Sequence, residues 1–242
     1  MKILIFGGTV EARKLADILS EGGHEITLSL AGRTKNPKLP KIAKTHIGAF
    51  GDIKNLCDFI KKNNFQYLID ATHPYAKNMS EKIVKTAKIT NISLVRLSRK
   101  IWTKPASAKW IEVNNFSQAL EQLPNGAKVF ITSGHKDLEQ LNAHPNCKFL
   151  VRLIEEPKTK LAKNIEVMLD IPPYGFENEI ILMKENNITH LITKNSGGEK
   201  IRAKIDASVT LNIPIIIINR PKLSPTKELF SIKEIIMFLE QK

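Results

Sequence analysis

Short β-branched apolar runs alternate with amphipathic helical patterns along the first hundred residues, and this alternation constrains the fold more than any other feature. Ile3–Phe6, Glu25–Leu30, Thr45–Ile47, Tyr67–Asp70 and Ser93–Arg96 read as strands, with helices over 9–21, 53–63 and 75–89 between them. Strands that are apolar throughout must be covered on both faces, so the pattern predicts parallel βαβ units in a doubly wound α/β sheet. From Gly126 the rhythm restarts, with strands over Lys128–Thr132, Phe149–Ile154, His190–Thr193 and Ile213–Asn219 and helices over Lys136–Leu141, Phe176–Glu185 and Ala203–Leu211. The intervening "LSRKIWTKPASAKW" has no clear period and reads as a crossover. Thr226–Gln241 carries Leu229, Ile232, Ile235, Ile236 and Phe238 at helical spacing, which predicts a closing helix. The 242 residues thus divide into a first domain over 1–113 and a smaller α/β domain over 114–242, with no internal repeat visible.

In open parallel sheets ligands bind beyond the carboxyl ends of the strands, so the loops after each strand carry the functional signal. The first reads "GGTVEA". A strand passing through glycines into a helix aims backbone N–H groups at an anion, and a nucleotide phosphate on Gly7, Gly8 and Thr9 is the functional reading. Because the glycines are adjacent and Ala12 replaces the last one of the GxGxxG spacing, a plain tight turn is the competing reading. Strand two runs into "SLAGRT" without the acid that holds an unphosphorylated ribose; Arg33, with Ser29 and Thr34, suits a 2′-phosphate instead. NADPH is therefore favoured, with NADH the alternative. After strand four, "ATHPYA" places His73 before Pro74, which is expected to start the next helix, with Thr72 and Tyr75 beside it. In "TKNSGG", Lys194, Asn195, Ser196 and Gly197 combine a cation, hydrogen-bonding side chains and flexible backbone, the makings of an anion nest. Arg152, inside "FLVRLIEEP", must either reach a carboxylate, a ligand's or that of Glu155 or Glu156, or sit at the strand's exposed end.

The net charge of +13 points to a polyanionic partner or to a lysine-rich solvated surface. Nucleic acid is disfavoured, since aromatics make up only 6% of the chain and no basic stripe interleaves with them. No apolar run approaches the roughly 20 residues of a membrane span, and Ile3–Phe6 is too short for a signal peptide, so a cytoplasmic protein is expected. Cys57 and Cys147 lie far apart without metal-ligand spacing, which predicts two buried thiols and no metal site. A non-redox nucleotide- or nucleotide-sugar-binding protein is the alternative function; it calls for an acidic metal ligand, and Asp70 is the one acid at a strand end.

Taken together, "ILIFGGTVEARKLA", "SLAGRT", "IGAFG", "IDATHPYA", "VRLIEEP" and "LITKNSGG" with the following "AKIDAS" resemble the precorrin-6A reductases of corrin-ring biosynthesis, in order and spacing from residue 3 to about residue 221. The resemblance implies two Rossmann-like parallel-sheet domains with the active site in the cleft between them. It also implies an NAD(P)H-dependent oxidoreductase that reduces one C=C bond of (cobalt-)precorrin-6A to give (cobalt-)precorrin-6B. The dinucleotide is then expected on Gly7, Gly8, Thr9, Glu11, Ser29, Arg33, Thr34 and Thr72. The polycarboxylate tetrapyrrole is expected on His73, Tyr75, Arg152, Lys194, Asn195, Ser196 and Gly197, and a basic surface would steer it in. His73 is the first candidate to supply the proton that accompanies hydride, and Lys194 the second. Val10 stands where the family pattern has a further glycine.

Overall fold

The computed structural model describes residues 1–32 and 37–241, apart from the side chain of Lys200. In chain order the first half forms β1 (Lys2–Phe6), α1 (Val10–Glu21), β2 (Glu25–Leu30), β3 (Lys44–Ile47), α2 (Ile53–Lys62), β4 (Tyr67–Asp70), α3 (Lys77–Thr90), β5 (Ser93–Leu97), β6 (Trp110–Val113) and α4 (Phe116–Glu121). The second half forms β7 (Lys128–Ile131), β8 (Lys148–Leu153), β9 (Ile165–Leu169), α5 (Phe176–Glu185), β10 (His190–Lys194), α6 (Ala203–Thr210), β11 (Ile215–Ile218), β12 (Lys227–Leu229) and α7 (Ile232–Glu240). No helix among the described residues is long and apolar enough to cross a membrane.

The strands assemble into two six-stranded parallel sheets, ordered β3-β2-β1-β4-β5-β12 and β9-β8-β7-β10-β11-β6. Numbered in chain order, the first sheet follows the 3-2-1-4-5-6 order of doubly wound dinucleotide-binding folds, and the second repeats that arrangement with β6, its earliest strand, in the last place. The sixth position is filled across the chain. The first sheet takes β12 from the C-terminal end, and the second takes β6 from the crossover, so one compact unit comprises residues 1–99 and 221–242 and the other residues 100–220. The expected boundary at 113 therefore shifts: β6 pairs with β11, and the C-terminal segment returns to the first sheet.

The two exchanged segments are built alike. The Asn115 side chain caps α4 by accepting the Gln118 N–H, while Gln118 Oε1 accepts the Asn114 N–H. Ser231 caps α7 by accepting the Glu234 N–H, while Glu234 Oε2 accepts the Phe230 N–H. Each is a variant of the capping box that joins an edge strand to a helix through two residues. The repeat is topological and is hidden from the sequence because composition differs while spacing is kept.

In the first unit, β1 is buried on both faces. Ile3 and Ile5 pack with Leu15, Leu19 and, from α7, Ile235 and Leu239, whereas Leu4 and Phe6 pack with Leu56, Ile60 and Ile83 of α2 and α3. Adjacent residues of a strand point to opposite faces, so an unalternated apolar strand lies inside a three-layer unit, as expected. In the second unit, Phe130, Leu150, Leu191, Ile215 and Ile217 pack with Met183 and Ile205 of α5 and α6 and with Trp102 from the crossover.

Three strands went unread in the sequence. β6 and β12 are edge strands of four and three residues, and "KEL" has no apolar alternation; β9 is an edge strand of five. Edges need little burial, so they carry little hydrophobic signal. Leu229 of β12 packs against the core, and the segment leading into the strand is held by polar contacts. Glu81 of α3 accepts both the N–H and the hydroxyl of Ser224, at 2.7 and 2.6 Å, and these hydrogen bonds hold its pKa below the ordinary glutamate range. The helix expected over Lys136–Leu141 is a 3₁₀ turn over Leu138–Ala143, entered through Asp137 at φ +71° without a side-chain cap. Cys57 and Cys147 are buried free thiols.

Candidate active site

In the first unit the strand order reverses between β1 and β4, and the residues just past these strands form the candidate dinucleotide site. A Cβ built on Gly7 would lie 2.6 Å from Leu28 Cδ1, so this glycine serves close packing of turn against sheet. Gly8 differs: its φ of +117° excludes ordinary side chains, yet nothing lies within 4 Å of where a Cβ would stand. That open space lies at the entrance to α1, whose first turn presents N–H groups. A phosphate can approach the backbone closely there, so the turn fits a dinucleotide.

Thr9 caps α1. Its hydroxyl accepts the Ala12 N–H and donates to the Ala71 carbonyl, both at 3.1 Å, which ties the turn after β1 to the end of β4. With the hydroxyl so used, Thr9 offers a ligand its backbone N–H. Thr72 is likewise held: its hydroxyl and N–H donate to Asp70 Oδ1 at 2.7 and 3.2 Å, and its hydroxyl lies 3.2 Å from that of Ser80. Asp70 is in turn paired with Arg96 at 3.1 Å, both side chains being almost wholly buried. The acid at this strand end is thus a structural group. Ser29 is buried in β2, and its carbonyl accepts the Gly7 N–H. Arg33 and Thr34, expected at a 2′-phosphate, lie outside the described residues.

His73 and Tyr75 come after β4. The Ala76 N–H donates to the His73 carbonyl, closing a turn with Pro74 at its second position, and α3 begins only at Lys77. Pro74 therefore shapes a β-turn and does not start the helix as expected. The Tyr75 N–H donates to His73 Nδ1 at 3.3 Å, so the neutral imidazole carries its proton on Nε2. Glu11, in the first turn of α1, is joined at 2.6 Å by Arg99, which lies just past β5 and was not singled out in the sequence. Thr9, Glu11, Thr72, Pro74, Ser98 and Arg99 line one small concavity.

In the second unit the corresponding reversal lies between β7 and β10. Lys194, at the end of β10, donates to the Ser133 carbonyl in the loop after β7. Burial pushes its pKa below the ordinary lysine range, with Asp137 opposing the shift and Lys136 adding to it. Asn195 has a structural role in place of the expected ligand contact: its Oδ1 accepts the Trp102 N–H at 2.8 Å and its Nδ2 donates to the Trp102 carbonyl at 3.1 Å. The Trp102 indole donates to the Gly198 carbonyl, and Arg220 donates to the carbonyls of Asn195 and Ser196. Gly197 and Gly198, at φ +67° and +85°, supply the backbone turn that this bracing requires.

Arg152 is also placed differently. Its guanidinium makes a bidentate pair with Glu179 of α5 at 2.6 and 3.1 Å and lies over the rings of Phe130 and Tyr174. Neither Glu155 nor Glu156 is this partner, and both side chains of the pair are buried, so the arginine faces the core and not a ligand. The sequence signal was available in "FENEI", which sets Glu179 on the buried side of a helix. Trp102 and Arg220 had no such signal, since one sits in an aperiodic crossover and the other just past a strand.

A family model described as "Precorrin-6x reductase CbiJ/CobK" matches residues 2–240. A precorrin-6A reductase of Rhodobacter capsulatus is 33% identical over 98% of this chain and 94% of its own length. One of Rhodococcus erythropolis is 35% identical over 94% and 92%. A cobalt-precorrin-6A reductase of Methanocaldococcus jannaschii is 27% identical over 99% and 98%. A solved structure of "CobK precorrin-6A reductase" superimposes with a TM-score of 0.93 at 32% identity, covering 100% of this chain and 96% of the other. With the family matched from the first strand to the last helix and the two-sheet architecture shared, the chain belongs to the precorrin-6x reductases of the CbiJ/CobK family.

Proposed function

We propose that the chain reduces one C=C bond of (cobalt-)precorrin-6A with NADPH, in cobalamin biosynthesis. The observation that carries the reading is the family match over residues 2–240. NADPH is favoured over NADH because "SLAGRT" brings Arg33 where an acid would serve NADH. Gly7, Gly8 and the Thr9 N–H would hold the pyrophosphate. When bound, the nicotinamide supplies hydride to one carbon of the macrocycle.

A proton must then reach the neighbouring carbon, and Lys194 is the better donor of the two candidates. Its ammonium loses a proton more readily than an ordinary lysine because burial lowers its pKa. His73 offers an Nε2–H for hydrogen bonding, while its Nδ1 accepts from Tyr75. It orients the substrate, with Tyr75 beside it. The braced loop of Asn195, Ser196 and Gly197 keeps Lys194 in place, and the net charge of +13 draws in the polycarboxylate macrocycle.

The test is spectroscopic. Purified protein, NADPH or NADH, and precorrin-6A with and without cobalt are mixed, and nicotinamide oxidation is followed; no oxidation with either macrocycle refutes the reading. Arg33→Ala is expected to weaken NADPH binding by roughly 1.5–3 kcal/mol and to leave NADH nearly untouched. Equal losses for both cofactors would remove Arg33 from the 2′-phosphate.

A further inference from the structure

The first turn of α1 contains a contradiction. An anion is expected at this helix entrance, yet Glu11, two residues past the cap, brings a negative charge to the same turn. A carboxylate there suits the helix dipole but repels a phosphate and competes with it for the positive end. Arg99 resolves this. Its Nη2 meets Glu11 Oε2 at 2.6 Å, with side-chain exposures of 18% for the arginine and 35% for the glutamate, so the pair is partly shielded from water.

We propose that Arg99 is a positioning residue that neutralises Glu11, so that the turn after β1 accepts the dinucleotide phosphates. The inference rests on the dinucleotide reading above. Arg99 is held in place by the returning strand: the Ser98 N–H donates to the Leu229 carbonyl at 2.9 Å, continuing the pairing of β5 with β12. The exchanged strand thereby sets the charge balance at the turn, through Ser98, Arg99 and Glu11. This gives the C-terminal segment a part in cofactor affinity without a contact to the cofactor.

The test is a double-mutant cycle on the full chain, with NADPH and NADH as probes and their fluorescence as the readout. Arg99→Ala should weaken dinucleotide binding about tenfold, the scale of one partly screened unit charge. Arg99→Lys, which keeps the charge, should stay within about threefold of wild type, and adding Glu11→Gln to Arg99→Ala should restore affinity to a similar level. If the double variant binds as poorly as Arg99→Ala, arginine acts on the ligand itself and the proposal is overturned; an unchanged Arg99→Ala overturns it too. Should the alanine variant fail to fold, Arg99→Gln takes its place in the same cycle. A wild-type protein that binds neither dinucleotide refutes the underlying cofactor reading instead, and the two failures are thereby distinct.

Discussion

The two units share one strand order and differ in the segment that leaves the first strand. In the first unit β1 leads through Gly7 and Gly8 into α1, a twelve-residue helix with a side-chain cap. In the second unit β7 leads through "TSGHKD" into a six-residue 3₁₀ turn without one. A capped α-helix entrance of this kind suits an anion, so among the described residues the first unit alone has, at its reversal point, the entrance proposed for a phosphate. The second unit has a lysine there in its place. Topology alone would suggest two nucleotide sites; local helix formation favours the first.

The units differ as well in how buried charge is handled. The first buries Asp70 with Arg96 near the site, whereas the second buries Arg152 with Glu179 and adds Lys204 nearby. The largest expected effect breaks the second arrangement. Glu179→Ala removes the bidentate partner of the buried Arg152 guanidinium, leaves it only the half-exposed Asp170 at 3.8 Å from Nε, and should destabilise the protein by about 3 kcal/mol. Chemical denaturation measures this directly. A variant of full stability but poor macrocycle binding would return Arg152 to the substrate role expected from the sequence.

Lys204 gives the next largest effect. It is buried in α6, with Nζ 5.5 Å from the centre of the Trp102 ring, and burial pushes its pKa down to about 8, with Glu179 opposing the shift and Arg152 adding to it. In the unfolded chain it titrates near the usual lysine value. Between these pH values the unfolded state binds more protons than the folded one, so wild-type stability should rise with pH relative to Lys204→Met. The gain should accumulate from about pH 8 to about pH 10.5, reaching on the order of 3 kcal/mol. Comparing the two proteins by denaturation across that window isolates the group, and a flat difference would show that Lys204 keeps its ordinary affinity for protons.

These two predictions mark where sequence reasoning reached and where it stopped. The doubly wound class was legible because β1, β4, β7 and β11 carry apolar runs without alternation, and the turn proposed for the cofactor stood out because a strand, two glycines and a helix are contiguous in the chain. Contiguity was the limit. Arg152 and Glu179 lie 27 residues apart, and Asn195 and Trp102 lie 93 apart, so their pairing has no local signature. A polar side chain in a loop looks the same in sequence whether it faces a ligand or braces a backbone. The exchanged strands were missed for a related reason: their partners belong to the other half of the chain.

Lys194 tests the remaining difference in the proposed reading, in which the second unit would meet its ligand with a cation and the first with a helix entrance. As proton donor, Lys194 must be charged before each turnover, so kcat should fall as pH rises through its lowered pKa, earlier than for an ordinary lysine. Lys194→Ala should lower kcat roughly a hundredfold, the low end for general acids and about 2.7 kcal/mol, and should abolish that alkaline limb. KM for the macrocycle should change little, because other cations share the attraction of a polycarboxylate. If KM instead rises about tenfold with kcat unchanged, Lys194 holds a carboxylate and the proton comes from elsewhere, with His73 the next group to substitute. If dinucleotide affinity falls while the macrocycle still binds, the assignment of the units is reversed and the comparison fails at its root. The three outcomes separate in a single set of kinetics because the affected constants differ, and only the first leaves the helix entrance and the lysine with distinct chemical tasks.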